Sequence, residues 1–477
     1  MSADTVATDP VIFWFRRDWR VADNPALIAA VRAGRGRVVA AFVVDSTLAG
    51  PAGPARVAYM RATIESLNQS LGDRLCIRVG DPARALVDLA QSVGARAVYA
   101  TADHGPRGRE RDAQVAASLG AAGIATAYID SNYVVAPGTV LAASGSPCRV
   151  FSAFRRRWEL EAAPTPLAAP RDVRWIAGPT ESLDALTRAS STKRPWYFGD
   201  LPDQPRAIVT RAGENAAHEQ LRAFSSRVDQ YDDSRNRPAL DATSRLSAHL
   251  RFGTLHPRQV LDAVAGLSTG RRTFESEICW REFYADVLFH HPDSVRRVLQ
   301  PALEHLRVDR DERAATLFQA WARGETGYPL VDAGMRQLLE EGWMHNRVRM
   351  VAASFLVKHL HLDWRWGAKW FMWRLIDGDL ASNQHGWQWT AGTGTDAAPF
   401  HRIFNPTLQG ERFDPDGVYV RRYVAELAHV PAPHCLQPGG GVGETGGYGP
   451  PIIDASSERR EALARFAEAR ARARGGP

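Results

Sequence analysis

Four short apolar runs, separated by amphipathic helical patterns, dominate the first 135 residues of the chain. The runs are VIFWF at 11–15, VVAAFVV at 38–44, LCIRV at 75–79 and AVYA at 97–100. Strands buried on both faces of a parallel sheet form such near-continuous apolar runs, and the connecting helices cover the two faces. The alternation therefore predicts a doubly wound α/β domain over residues 1–135. Because no Gly-x-Gly-x-x-Gly follows the first run, the pattern argues against the usual dinucleotide site there.

The remainder of the 477 residues is long enough for a second domain. Residues 136–205 are rich in Pro, Ala, Ser and Thr with little periodicity, which predicts a connector between domains. Long amphipathic patterns then predict an all-helical domain over 206–477, with helices at 214–227, 257–265, 273–290, 331–341, 344–360 and 366–376 and no strand. The Gly- and Pro-rich run at 438–451 predicts a loop, and the Arg-rich stretch after it predicts a terminal helix.

Composition narrows the class of protein. The chain has 59 Lys and Arg against 53 Asp and Glu, and nearly all its basic residues are arginine. Either a GC-rich genome explains the arginines, or they cluster to hold phosphates, as a nucleic-acid partner requires. The four cysteines form no metal-binding pattern, so we expect no metal and a reducing compartment. Neither a signal peptide nor a membrane-length apolar run is present, which predicts a soluble, cytoplasmic protein.

Tryptophan is concentrated near the end of the predicted helical domain. Seven of the 14 tryptophans lie between Trp343 and Trp389. An aromatic core would explain the rings, but it would leave their polar neighbours buried without partners. A large planar ligand with many donors and acceptors explains both, and flavin is the natural candidate. Upstream, TSRLS at 243–247 suits either a pyrophosphate at a helix start or an ordinary N-cap.

Six longer motifs resemble the photolyase/cryptochrome family, in the family's order and along almost the whole chain. They are FRRDWRVADNPAL at 15–27, TSRLSAHLRFG at 243–253, EICWREFY at 277–284, TGYPLVDAGMRQL at 326–338, GWMHNRVRM at 342–350 and LIDGDLASNQHGWQWTAGTGTDAAP at 375–399. The resemblance is closest to class I cyclobutane-dimer photolyases. It implies an α/β antenna domain, a helical FAD domain, and light-driven repair of damaged double-stranded DNA by electron transfer from reduced FAD. Such enzymes act as monomers without an obligate protein partner.

The resemblance also implies roles for individual residues. The FAD-binding set would be Tyr231, Thr243, Ser244, Arg245, Leu246, Ser247, Glu277, Arg281, Trp343, Asn346, Arg349, Asp377, Gly378, Asp379 and Asn383. Catalysis at the dimer would use Glu277, Asn346, Met350, Asn383 and Trp389, and DNA contacts would come from Arg235, Trp280, Arg347, Trp389 and Arg402. Without the family context, Glu277 could equally be a carboxylate on a helix surface.

Three of these positions distinguish between relatives. Asn383 would face the redox-active flavin nitrogen, where signalling members often carry Asp or Cys, so it favours repair. Asn346 stands where (6-4) photolyases need a His, and Met350 where single-strand-preferring relatives usually have Gln. Together they predict cyclobutane dimers in duplex DNA as the substrate. The alternatives are a cryptochrome-like photoreceptor without repair activity and a light-independent DNA- or RNA-binding flavoprotein.

The chain departs from the family in its electron-transfer tryptophans. Trp387 and Trp364 match the inner and middle members, but Asp311 occupies the outer position and no Trp or Tyr lies between residues 301 and 320. We therefore expect slower photoreduction, or photoreduction rerouted through neighbours such as Trp366, Trp370 and Trp373, with intact repair once the flavin is reduced.

The second departure concerns the antenna. Folate-binding relatives carry Asn-Glu before an Arg-x-Arg-Asp run, and here Arg107 and Gly108 precede that run at 109–112. The missing carboxylate predicts a deazaflavin antenna, or none, in preference to folate.

Overall fold

The computed structural model describes residues 9–49, 52–161, 165–189, 195–200, 208–395, 402–437 and 447–474. A six-stranded parallel sheet forms the N-terminal part, with the strand order β3-β2-β1-β4-β5 and with β6 beside the start of β2. Its strands are β1 (Val11–Trp14), β2 (Arg37–Val44), β3 (Leu75–Val79), β4 (Ala97–Thr101), β5 (Ala125–Ile129) and β6 (Arg174–Trp175).

Both faces of this sheet are buried, as the apolar runs require. Along β1, Val11 and Phe13 belong to one apolar core, whereas Ile12 and Trp14 belong to a second core on the opposite face. The covering helices are α1 (Pro25–Ala33), α2 (Ser46–Ala49), α3 (Pro54–Ser70), α4 (Pro82–Val93) and α5 (Pro106–Ala121). The predicted doubly wound α/β domain is confirmed.

Two strands escaped the sequence analysis. Strand β5 is a partly exposed edge strand whose sequence, ATAYI, lacks the continuous apolar run that marks β1 and β2. Strand β6 has two residues and comes from the segment predicted as a connector, which is therefore more structured than expected. That segment also forms α6 (Phe151–Trp158), α7 (Asp184–Ala189) and a 3₁₀ turn at Trp196–Phe198. The domain boundaries at 135 and 205 stay predictions.

The described part of 206–477 is helical and has no strand beyond an isolated bridge between Asp309 and Leu362. Its helices are α8 (Glu214–Ser225), α9 (Tyr231–Ser234), α10 (Ser247–Phe252), α11 (Pro257–Val264), α12 (Thr269–His290), α13 (Glu312–Arg323), α14 (Pro329–Glu341), α15 (Asn346–Lys358), α16 (Trp364–Arg374), α17 (Leu380–Ala391), α18 (Pro406–Phe413), α19 (Val418–Tyr423) and α20 (Ala455–Arg474). The helical domain is confirmed, and each predicted helix appears with ends shifted by a few residues. Of the predicted loop at 438–451, residues 438–446 lie outside the described residues.

The segment after β1 joins the two parts of the molecule. Trp19 N donates to Phe252 O at 3.4 Å, and the Arg20 guanidinium donates to Gly253 O at 3.0 Å. Both acceptors lie at the end of α10. The FRRDWR motif therefore forms part of the contact between the sheet domain and the helices.

The described residues were also compared with the features of membrane proteins and metal sites. Within them, no helix has the length and apolar character that a membrane crossing demands. No group of three or more His, Cys, Asp or Glu side chains there could hold a metal ion. The four cysteines are buried free thiols.

Candidate functional site

Arg349 and Asp377 form a partly buried ion pair within the helical domain. The Arg349 guanidinium donates to Asp377 Oδ2 at 2.8 Å and to Met344 O at 2.8 Å. The Asp377 side chain is 1% exposed, and its Oδ1 has no hydrogen-bond partner among the described residues. A buried carboxylate oxygen without a donor is costly. This oxygen therefore suits the N–H group of a ligand.

The two residues after Asp377 are held by arginines that the sequence analysis did not assign. Gly378 O accepts from Arg251 Nε at 2.9 Å and from Arg56 Nη1 at 3.2 Å. Asp379 accepts from Arg17 Nη2 at 2.8 Å. Arg17 and Arg251 lie within motifs quoted above, but no local periodicity shows that they meet at residues 377–379.

Both carboxylate oxygens of Asp379 have hydrogen-bond partners within the protein. Besides its contact with Arg17, it caps α17 by accepting from Ser382 N at 3.1 Å. Burial would raise the pKa of this carboxyl, but Arg17, Arg251 and Arg281 hold the pKa well below its usual range. Asp379 therefore remains charged, and its visible contacts orient the start of α17. Its predicted contact with a cofactor stays a prediction.

Asn383 and Trp387 project from α17 one turn apart. The Asn383 amide nitrogen donates to Ala368 O at 3.0 Å and to Gln384 Oε1 at 2.8 Å, which leaves its Oδ1 as an acceptor. The Trp387 indole N–H is buried without a partner among the described residues. Its ring packs on Gly367 so closely that a Cβ there would lie 2.1 Å from the ring. Only glycine allows this approach.

The hydroxyl-rich stretch before α10 is not an ordinary N-cap. The cap residue of α10 is Leu246, which offers no side-chain hydrogen bond, and Ser247 begins the helix with an exposed side chain. Arg245 has a φ of 50°, and its guanidinium lies 4.2 Å from the Trp343 ring centroid. These hydroxyls therefore do not serve as the side-chain N-cap, which was the simpler interpretation.

Glu277 and Trp280 lie three residues apart on α12. Glu277 Oε1 accepts from Arg235 Nη2 at 2.8 Å. Burial raises the pKa of Glu277, and Arg235 and Arg347 oppose this rise. Trp280 is stacked face to face on Phe151, with ring centroids 3.7 Å apart and planes 6° apart. One face of Trp280 is thus covered by the protein, which fixes the ring's orientation.

Arginines cluster near Glu277. Arg347 donates to Asn236 Oδ1 at 2.7 Å and lies 4.5 Å from the Phe413 ring centroid. Burial lowers its pKa to about 10, and nearby positive charges, which include Arg235 and Arg402, contribute to this shift. Positive groups held this close together repel one another, so they favour a polyanion.

The other predicted residues differ in exposure. Asn346 is exposed at the start of α15, and Met350 and Trp389 are partly exposed. Tyr231, Trp343 and Trp364 are buried. Arg281 donates to the carbonyls of Asn132 and Leu250 and lies 4.4 Å from the Tyr133 ring centroid, so its visible contacts are all within the protein.

Comparison with known proteins agrees with this geometry. Residues 274–468 match the family model described as the FAD binding domain of DNA photolyase, and residues 11–171 match the one described as DNA photolyase. The deoxyribodipyrimidine photo-lyase of Halobacterium salinarum is 39% identical over 96% of this chain and 99% of its own length. The chain belongs to the DNA photolyase family. The predicted family and the predicted FAD domain are confirmed.

Two solved structures share the whole fold. A class III photolyase from Agrobacterium tumefaciens has a TM-score of 0.89 and 37% identity, covering 98% of this chain and 99% of its own. A Sulfolobus tokodaii photolyase, solved with two FAD molecules, has a TM-score of 0.79 and 28% identity, covering 96% of this chain and all of its own. Because the first of these belongs to class III, the predicted closeness to class I stays a prediction.

Proposed function

We propose that this protein repairs cyclobutane pyrimidine dimers in DNA by light-dependent electron transfer, with FAD as its cofactor. The observation that carries the proposal is the surface around Glu277, where a carboxylate and a fixed indole ring stand beside clustered arginines. Such a surface combines phosphate attraction with the stacking and hydrogen bonding that an unstacked base requires. The curated relatives are named for this activity.

The chain's own residues fit FAD. The free Oδ1 of Asp377 suits an N–H of the flavin ring, and the Oδ1 of Asn383 suits a protonated ring nitrogen. The hydroxyls of Thr243, Ser244 and Ser247 are suited to the phosphates. When bound in its reduced form, FAD supplies the electron that opens the cyclobutane ring under light and recovers it afterwards. The protein consequently needs no general acid or base for ring opening.

Substrate recognition would divide between positioning and base contacts. Arg235, Arg347 and Arg402 would neutralise phosphates that flank the damage, which fixes the register of the duplex without selecting sequence. Extrusion of the target base is an established feature of photolyases, and a distorted dimer makes extrusion easier. The free face of Trp280 would stack on the extruded dimer, and Glu277 would accept hydrogen bonds from its base. We place this reaction in the cytoplasm, on duplex DNA, with the protein acting as a monomer.

A second chromophore would have room beside the sheet. A cleft of about 1500 Å³ lies between the ends of β1, β2 and β4 and the helices, and its walls include Trp14, Asp103 and Asp379. Ligands of open parallel sheets bind at this edge, where the strand order reverses. A Cβ on Gly108 would lie 2.2 Å from the Asp103 carboxyl, which pairs with Arg111. Position 108 therefore has no room for the carboxylate that folate-binding relatives carry. The absence of a carboxylate at position 108 supports a deazaflavin antenna, or none, in preference to folate.

One assay tests the main proposal. Purified protein with chemically reduced FAD is mixed with a duplex containing a single thymine dimer, and restored thymines are counted with and without blue light. We expect restoration in the light alone. A cryptochrome-like photoreceptor would restore none under either condition, whereas restoration in the dark would contradict the light-driven mechanism. The absorption spectrum of the same preparation identifies any second chromophore, and size-exclusion chromatography reports the oligomeric state.

A further inference from the structure

We propose that electrons reach the flavin of this protein through a chain of aromatic side chains that ends at Trp196 on the surface. The inference rests on the proposed function, because it takes Trp387 to lie beside the bound flavin. It assigns an electron-transfer role to Trp321, Trp366 and Trp196. None of these three corresponds to the outer tryptophan that the family normally uses.

The electron-transfer route that the family normally uses lacks its outer tryptophan in this chain. Asp311, at the position of the missing tryptophan, is the N-cap of α13, and its Oδ1 accepts from Ala314 N at 2.8 Å. Trp364 is buried, and the Arg365 guanidinium lies 5.1 Å from its ring centroid. Trp364 shares an apolar core with Trp366 and Trp387, but among the described residues it belongs to no close pair of aromatic rings. The route from Trp387 through Trp364 therefore continues through no close ring pair in the described structure.

A different series of rings leads from Trp387 to the surface. Trp387 and Trp321 have centroids 6.1 Å apart, and Trp321 and Phe318 are 5.6 Å apart. Phe318 lies 5.9 Å from Trp366, which lies 5.7 Å from Trp196. Every step joins neighbouring rings. Because Phe318 is much harder to oxidise than an indole, it would act as a bridge between Trp321 and Trp366, not as a carrier.

The two ends of this series differ in exposure. Trp321 is fully buried and Trp366 is 9% exposed, whereas Trp196 is 63% exposed. Tyr197 is stacked on Trp366 at 4.2 Å and 5°, which holds the Trp366 ring in place. A buried indole whose N–H meets no base keeps its proton when it loses an electron. Trp196 instead faces water, which can accept the proton and so delay charge recombination.

The electrons balance with an external thiol. Trp387 gives one electron to the light-excited flavin, and the vacancy passes through Trp321 and Trp366 to Trp196. The oxidised Trp196 releases its indole proton to water. A small thiol then returns one electron and one proton to Trp196 and becomes a thiyl radical, and two such radicals combine as a disulfide. The N–H of Trp321 donates to Ala352 O at 3.0 Å, an acceptor too weak to remove its proton.

Photoreduction of single variants tests the route. Protein carrying oxidised FAD is illuminated with dithiothreitol, and flavin bleaching is followed in the parent, Trp196→Phe, Trp366→Phe, Trp364→Phe and Trp373→Phe. We expect Trp366→Phe to bleach at least about tenfold more slowly than the parent, because phenylalanine cannot carry the vacancy. Trp196→Phe should bleach with a severalfold lower yield. Trp364→Phe tests the family's usual route, and Trp373→Phe, on the same helix as Trp366, tests another rerouting that the sequence allows. If electrons pass through Trp321, Trp366 and Trp196, both variants should bleach like the parent.

A second measurement locates the surface radical directly. A nitroso spin trap is added during illumination, and peptides are mapped by mass spectrometry. We expect an adduct on Trp196 that disappears in Trp366→Phe. Parent-like bleaching by both Trp196→Phe and Trp366→Phe, or loss of bleaching in Trp364→Phe, would overturn the route. Repair by chemically reduced variants separates the two proposals, because it requires no photoreduction and fails only if the proposed function is wrong.

Discussion

Substitution of Asp377 by Asn probes the contact on which flavin binding depends. The change preserves the shape of the side chain but removes the charge that faces Arg349, 2.8 Å away. It also replaces one carboxylate oxygen by an NH₂ group. That group must point either at the Arg349 guanidinium or at the ligand position beside Oδ1, and in both directions a donor would meet a donor.

The geometry sets the size of the effect. Loss of one partner from a fully buried ion pair costs about 3–5 kcal/mol. Arg349 is 24% exposed, so water relieves part of that cost. A charge-assisted hydrogen bond contributes about 1.5–3 kcal/mol. We therefore expect Asp377→Asn to weaken FAD binding by about 2–3 kcal/mol, which is about 30- to 150-fold in Kd.

The assay is titration of flavin-free protein with FAD, followed by quenching of flavin fluorescence, together with thermal unfolding of the same samples. Asp309→Asn is the matched control, because Asp309 pairs with Arg465 on α20, far along the chain from the site residues. It should bind FAD like the parent. Parent-like FAD affinity of Asp377→Asn would refute the role of Oδ1. An equal loss of affinity in Asp309→Asn would mean that both changes act through general destabilisation.

Three further perturbations test other parts of the site. Phe151→Leu removes the ring beneath Trp280, and since aromatic pairs contribute about 0.5–1.5 kcal/mol, affinity for dimer-containing duplex should fall severalfold in fluorescence anisotropy while FAD binding stays unchanged. Arg347→Ala should weaken binding to damaged and undamaged duplex alike and reduce the salt dependence, log Kd against log salt, by about 1; a loss confined to damaged DNA would contradict a phosphate contact. Burial, followed by the charges of Arg347 and Arg349, lowers the pKa of His345 to about 3. As the pH falls from about 6.5 towards 3, His345 binds a proton in the unfolded chain but stays neutral in the folded protein, so the free energy of unfolding should fall. In urea denaturation, the free energy of unfolding of His345→Asn should fall less over the same pH range.

The fold was largely accessible from hydrophobic periodicity, and its exceptions have a physical cause. Strands such as β1 are buried on both faces, so every position must be apolar and the run stands out. Strand β5 lies at the edge of the sheet and its positions are partly exposed, which removes the constraint and the signal together. The two residues of β6 are too few for any pattern, and their place is determined by the neighbouring start of β2.

Sequence motifs identified the residues of the candidate site, but they did not predict how its polar groups are paired. Asp377 and Asp379 are two residues apart and chemically identical. One has an oxygen free for a ligand, whereas the other uses its contacts on Arg17 and the start of α17. The difference arises because Arg17 arrives from the other domain, 362 residues away along the chain. Phe151 likewise reaches Trp280 from a segment that resembled a featureless connector.

Position 311 illustrates how a local requirement and a long-range one compete for the same residue. An Asp at an N-cap contributes about 1 kcal/mol relative to residues that cannot accept from the helix N–H groups, and tryptophan is such a residue. Asp311 meets the local requirement, because its carboxylate accepts from Ala314 N. An outer electron-transfer tryptophan at this position would sacrifice that cap. Trp196 is in ring contact with Trp366 and open to water. The chain can therefore meet the two requirements at separate positions. The sequence around residue 311 does not show this, because Trp196 lies more than a hundred residues earlier in the chain.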